Sequence, residues 1–187
     1  MLMASLPNSK TVTYEEWLRM PEVSDAIEEV VNGVIRIMPA PKWNHSEIVD
    51  NLCDLIRQQV DKRVVKAKVS QFGLIIRKQP LTSRVPDLAV FEIATVVEQD
   101  GYIHSAPQLA VEVLSPANTR LERAEKLTDY AELGVPEVWV VAPEGRTVEV
   151  LYLEDRVLRR QAVLVEGFLK PRLFPGVEID IAKIWPD

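Results

Sequence analysis

Hydrophobic and polar positions change period several times along the chain. Around Asn32-Gly33 two β-branched runs alternate as far as Pro39 and Pro41, which predicts a β-hairpin over 27–38. From Ile48 the apolar positions Leu52, Leu55, Ile56 and Val60 recur at three and four. That predicts a helix over 45–61, with Asn44 as its N-cap and Glu47 as the capping-box partner. Strands are predicted over 64–70 and 72–78, a turn over 80–84, and short apolar strands over 88–91 and 109–114. The stretch 92–105 carries no pattern and reads as a loop.

A second long helix is predicted over 120–133. Thr119 and Glu122 form its capping box, and Gly134 stands just past its end. A strand over 137–142 and a hairpin of 147–153 with 157–165 follow. Near the start, Thr13 with Glu16 marks a short helix over 13–20, stopped by Pro21. There is no internal repeat, low-complexity tract or linker. The reading is a mixed α+β (α/β) protein in one domain over 1–187, with a loose N-terminus over 1–12 and a core at about 43–142.

Composition narrows the class. With 187 residues, 47% hydrophobic and 27% charged, the chain can bury a sizeable core and is not of disordered type. Its one cysteine, Cys53, cannot close an internal disulfide, so a cytoplasmic setting is expected. No apolar run reaches membrane-spanning length, so no membrane partner is expected. The net charge of −6 speaks against a nucleic-acid binder until it is divided along the chain. Residues 57–84 hold eight bases (Arg57, Lys62, Arg63, Lys66, Lys68, Arg77, Lys78, Arg84) and one acid, Asp61, for a local +7. This segment is either a solvated face or a surface for phosphates.

Two apolar strands each present one acid. Asp87 stands at the mouth of Leu88-Ala89-Val90-Phe91, and Glu112 interrupts Leu109-Ala110-Val111-Glu112-Val113-Leu114. A carboxylate in an apolar strand must be paired, hydrogen-bonded or metal-bound. Glu112 could equally pair with an arginine or face solvent from an edge strand, and Asp87 could be an ordinary turn residue. Two carboxylates converging at strand ends form a hard-oxygen site for Mg or Mn, which can activate water and polarise a phosphate. Lys126, on the helix after the Glu112 strand, can stabilise charge developing on that phosphate. Its plain alternative is a surface pair with Glu122, four residues away. Tyr130, one turn on, either bonds within the site or packs. No zinc spacing, phosphate-binding glycine loop, dinucleotide fingerprint or Gly-x-Ser-x-Gly elbow is present.

Pro86-Asp87, then Val111-Glu112-Val113-Leu114-Ser115-Pro116, then Lys126 with Tyr130, then 134–141 resemble the Uma-two family of restriction-endonuclease-like domains in the PD-(D/E)XK nuclease superfamily. Glu29-Val30-Val31-Asn32-Gly33 resembles that family's acidic hairpin motif, and His45 its helix-start histidine. The resemblance spans about 13–176. It implies a restriction-endonuclease-like core: a central mixed sheet of at least four strands flanked by helices, with extra N-terminal and C-terminal hairpins. By it, Asp87 and Glu112 are metal ligands and Lys126 is the active-site lysine. Leu114 stands where the superfamily usually carries that lysine, and Glu122 and Asn32 replace residues that are more often aspartate.

The expected function is a metal-dependent endonuclease acting on DNA, with Asp87, Glu112 and Lys126 catalytic. The alternatives are a non-catalytic binding or assembly module on the same fold and a component that needs a partner chain. Secondary site positions are Glu29 (or a solvated pair with Glu28), His45 (phosphate contact, general base or cap) and Tyr130. Lys62, Arg63, Lys66, Lys68, Arg77, Lys78 and Arg84 are the expected nucleic-acid contacts, and a homodimer is the expected assembly.

Overall fold

The computed structural model describes residues 11–21, 26–69, 72–116 and 119–186. All but the last two residues of the expected loose N-terminus lie outside that set, as does Ser70 at the end of a predicted strand.

Among the described residues, two six-stranded sheets and two long helices organise the fold. Helix α1 (Tyr14–Trp17) is a single turn carrying the predicted capping box. It stops short of Met20 because the chain tightens: Arg19 and Met20 donate to the carbonyls of Glu16 and Trp17, three residues back. Strands β1 (Ile27–Val31) and β2 (Val34–Met38) form the predicted hairpin. Asn32 and Gly33 both take positive φ, 52° and 79°, which a two-residue hairpin turn requires and Asn-Gly supplies at low cost.

Helix α2 (Trp43–Arg57) begins earlier than expected and ends four residues sooner. Its N-cap is Lys42, with no side-chain cap, so Asn44 and Glu47 are helical residues rather than a capping box. Lys42 is in extended backbone, φ −75° and ψ 158°, and the helix starts directly after it. At the far end Asp61 accepts from the backbone of Arg63, which turns the chain instead of prolonging the helix.

Next come β3 (Val65–Val69), β4 (Leu74–Lys78), β5 (Leu81–Arg84) and β6 (Leu88–Glu92). The segment read as a turn over 80–84 is therefore a strand, and all four residues of β5 are buried. Leu-Thr-Ser-Arg lacks apolar alternation, yet two of its polar side chains find partners inside the protein: the Thr82 hydroxyl accepts from the Asn32 backbone, and Arg84 is ion-paired. The unpatterned 92–105 stretch contains a 3₁₀ turn at Ile93–Thr95 and a small hairpin of β7 (Glu98–Gln99) with β8 (Tyr102–Ile103).

Strand β9 (Leu109–Val113) precedes helix α3 (Arg120–Leu133), which starts and ends as predicted. Thr119 and Glu122 cap it reciprocally, and Gly134 closes it at φ 89°. Then come β10 (Glu137–Ala142), β11 (Thr147–Glu154) and β12 (Val157–Leu164), and finally a short pair, β13 (Phe168–Leu169) with β14 (Ile179–Asp180).

Sheet A runs β2-β1-β5-β4-β8-β7, and sheet B runs β12-β11-β10-β9-β6-β3. Sheet B is mixed, with β9 and β10 parallel and its other neighbours antiparallel. On one face of sheet B lie α2 and the C-terminal segment, joined through Ile48, Leu52, Ile56, Leu88, Val111, Trp139 and Ile181. Each fully buried aliphatic side chain of α2 contributes about 1.5–3 kcal/mol to holding that layer. On the other face Tyr130 of α3 and Leu74 of β4 pack with Ala89, Phe91, Ala110 and Val138. Helix α1 packs on the far side of sheet A with Val30, Ile75 and Leu81. The N-terminal hairpin is thus not an appendage: β1 pairs with β5 and extends sheet A.

Candidate active site

Antiparallel pairing of β6 with β9 places Leu88 opposite Val111. Strand alternation turns Glu112 to the face of sheet B that meets α3, and Asp87 lies just before the start of β6, beside that end of β9. Asp87 is held by its surroundings: Val113 N donates to its Oδ2 at 2.7 Å. His45, in the first turn of α2, brings Nε2 to 3.3 Å from that oxygen and 3.1 Å from the Val113 carbonyl. The N–H shared between these two acceptors fixes the proton on Nε2. The buried Nδ1 has no hydrogen-bond partner among the described residues. Burial opposes charge on this imidazole, but Asp87 and the Val113 carbonyl outweigh it and raise its pKa.

Lys126 arrives from α3. Its ammonium lies 2.8 Å from Glu112 Oε2 and 3.1 Å from Glu29 Oε1, and it donates to the Val85 carbonyl at 3.0 Å. The surface pair with Glu122 does not form: Glu122 is engaged in capping Thr119. Tyr130, one turn along the same helix face, donates its hydroxyl to Glu112 Oε1. Glu112 therefore pairs with a lysine and a tyrosine, not an arginine.

Glu29 comes from β1 and is only 2% exposed. Its Oε1 also accepts from Val85 N at 2.9 Å, and its Oε2 accepts from Arg84 at 2.8 Å. It is not a solvated pair with Glu28, which faces the other side of sheet A and accepts from Trp17 Nε1 at 2.5 Å.

The charges divide unequally. Burial pushes the Glu112 carboxyl up to about 7, with Asp87 adding to the rise and Lys126 opposing it. Burial also acts on Glu29, yet Lys126 and Arg84 together hold it below the usual carboxylate range. Burial opposes charge on Lys126, but Glu112, Glu29 and Asp87 outweigh it and raise its pKa, so it stays cationic. Burial beside Glu112 drives the Tyr130 hydroxyl well above its ordinary value, so it remains a donor.

The donor chemistry suits a hard divalent cation. Asp87 and Glu112 offer carboxylate oxygens, and each Glu112 oxygen, with one bonded donor, keeps a further lone pair. A buried acid raised towards neutrality is short of positive charge, which a cation supplies. No group of three or more His, Cys, Asp or Glu side chains arranged to hold a metal occurs among the described residues. Asp87 and Glu112 are the two side chains that could hold such a cation, the remaining positions being left to water or substrate oxygens.

The +7 segment does not form one surface. Arg84 is 2% exposed between Glu29 and Asp129, so it cannot meet a phosphate. That corrects its expected role, for the physical reason that its charge is consumed internally. Arg77 is engaged by Asp129, Glu132 and Asn32. Lys78 lies 4.3 Å from the centre of the Tyr14 ring, and Arg63 is paired with Asp61. Arg57 donates to the Ala67 carbonyl. Lys62, Lys66 and Lys68 are exposed. Lys66 and Lys68 point from β3 to the same face as Glu112, since Val65 and Ala67 alternate with them and enter the α2 core.

Two participants are not among the sequence candidates. Asp129 and the backbone of Val85 both belong to the polar cluster. Asp129 stands three residues after Lys126 and next to Tyr130 on one helix, a spacing that could have marked it.

The mixed sheet flanked by helices and the family match together define a restriction-endonuclease-like protein. The chain belongs to the Uma2 family, described as "Putative restriction endonuclease", which it matches over residues 14–182. Among solved structures it is similar to "a putative nuclease belonging to DUF820" from Anabaena variabilis, with a TM-score of 0.75 and 24% identity over 92% of this chain and 97% of that one. At that identity the likeness speaks for the fold. Comparison with curated proteins finds no match. Among the described residues no helix is long and apolar enough to cross a membrane.

Proposed function

We propose that the protein is a divalent-metal-dependent endonuclease that hydrolyses DNA phosphodiester bonds. The observation that carries this reading is the Lys126 ammonium, 2.8 Å from Glu112 on β9, with Asp87 just before β6, the strand paired to β9. Asp87 and Glu112 would hold Mg or Mn. Such an ion, when bound, supplies Lewis acidity toward a phosphate oxygen and a more acidic water. Lys126 places a fixed positive charge where the phosphate gains negative charge. Tyr130 and His45 keep Glu112 and Asp87 in orientation. Lys66 and Lys68, on the same sheet face, and Lys62 nearby in sequence hold the DNA backbone.

The test is cleavage of supercoiled and linear DNA with magnesium and with manganese. Wild-type protein should cut, whereas Asp87→Ala, Glu112→Ala and Lys126→Ala should not. Folded wild-type protein inert on varied DNAs with either metal counts against the reading.

A second reading is a nuclease fold used for binding alone. It is favoured by the closure of the polar network, in which Lys126 and Tyr130 already occupy one position on each Glu112 oxygen. Manganese titration followed by paramagnetic relaxation separates the two. A site lost in both Asp87→Ala and Glu112→Ala supports the nuclease, and no bound ion at millimolar manganese supports the binding module.

A further inference from the structure

The acids and lysine just described continue through Arg84 to Asp129 as a buried run of alternating charge. Asp129 Oδ2 accepts from Arg84 Nε at 2.7 Å, and Arg84 Nη1 donates to Glu29 Oε2 at 2.8 Å. Glu29 Oε1 meets Lys126, and Lys126 meets Glu112. Arg84 and Glu29 are 2% exposed and Asp129 6%. Burying three such groups is costly, and a well-packed apolar set would serve stability as well or better.

The topology shows what the cluster could gain instead. Arg84 ends β5, and the chain passes through Val85 and Pro86 directly to Asp87. Asp129 lies on α3 between Lys126 and Tyr130. The Arg84–Asp129 pair therefore ties the segment that delivers Asp87 to the helix that delivers Lys126. The two strapping bonds from Val85, N–H to Glu29 and carbonyl from Lys126, run alongside it.

We propose that Arg84 and Asp129 are a positioning pair for the active-site lysine. By fixing Glu29, Arg84 keeps one carboxylate on each side of the Lys126 ammonium. By holding Arg84, Asp129 keeps Glu29 from being drawn away from that ammonium. The proposal rests on the reading of Lys126 as the active-site lysine, but its test needs neither DNA nor metal.

The experiment measures the rate at which an amine-selective acylating reagent modifies Lys126, read by peptide mass spectrometry. The rate is normalised to exposed Lys62 under conditions where melting curves show the protein folded. Asp129→Asn and Arg84→Lys, which keep side-chain size or charge, should each raise relative labelling of Lys126 about tenfold, the scale of one lost charge-assisted hydrogen bond. Asp129→Glu should restore the wild-type rate to a large extent. Arg123→Gln is the structural control, because Arg123 is on the same helix but pairs with Glu149 at 2.8 Å, away from the cluster. It should leave Lys126 labelling unchanged. Unchanged labelling in both Asp129→Asn and Arg84→Lys overturns the proposal. So does an equal rise in Arg123→Gln, which would mark general loosening of α3. If Lys126 labelling rises as expected but no metal-dependent cleavage is found, the nuclease reading fails while the positioning pair stands.

Discussion

Glu29 and Glu112 stand in different sheets and share one ammonium: Lys126 lies 3.1 Å from the first and 2.8 Å from the second. The two acids nevertheless titrate in opposite directions. Two positive neighbours, Lys126 and Arg84, overcome the burial of Glu29, whereas Glu112 has one and also faces Asp87.

That opposition has a pH signature. The Glu29 carboxyl is lowered on folding, so it contributes stability above its ordinary value of 4.5 that is lost as pH falls below it. The Glu112 carboxyl is raised from 4.5 to about 7, so the folded state holds the extra proton and stability declines as pH rises through that interval. The slope from one such proton is at most about 1.4 kcal/mol per pH unit. Thermal melts from pH 3 to 8 should show Glu112→Gln gaining on the wild type as pH rises through that interval. Glu29→Gln should be less stable than wild type at neutral pH and close the gap below 4.5. Parallel curves for both variants contradict this assignment.

Metal binding should follow the same proton. Glu112 must be ionised to ligate, so manganese affinity should fall as pH drops through about 7, with protons released on binding. Calorimetry in buffers of different ionisation enthalpy measures that release. Binding without proton release near neutrality argues against Glu112 as a ligand.

Lys126→Gln removes the charge but keeps much of the side chain. Cleavage should fall about 10²–10³-fold, the usual loss on removing a preorganised electrostatic stabiliser. Binding to uncut DNA in calcium should change little, which gel shift can check.

The basic residues should separate by burial. Arg84→Ala leaves Glu29 and Asp129 buried without their cation and should destabilise by about 3–5 kcal/mol in denaturant unfolding. The double change Lys66→Ala with Lys68→Ala should leave stability nearly unaltered. It should flatten the dependence of DNA affinity on log salt concentration by about one to two units of slope. A flat salt response in the wild type removes Lys66 and Lys68 from the interface.

Much of this arrangement was legible in the sequence where local rules and tertiary context agree. The Asn32-Gly33 turn, the Thr119–Glu122 capping box and Gly134 each act within a few residues, and the structure follows them. The expected fold class holds as well, since hydrophobic period and order carry it. Strand β5 is not legible locally because its Thr82 and Arg84 find their partners only in groups far away in sequence. Arg84 needs Glu29 and Asp129, and neither is within forty positions. For the same reason the basic segment read as one surface, although burial divides it between an internal ion cluster and an exposed edge. The α2 start is not legible in the sequence, because Asn44 and Glu47 match a cap by spacing while the helix begins after Lys42 with no side-chain cap.

Because β1 supplies Glu29 to a lysine whose other partner belongs to sheet B, the candidate centre is assembled across a seam between two layers. Its integrity therefore measures the closure of that seam rather than the folding of either layer. Conditions that part sheet A from α3 would silence Lys126 while the helices and strands of sheet B still give a native spectrum. Inactivation should thus precede global melting, and the gap between the two is a gauge of how firmly the N-terminal hairpin is docked.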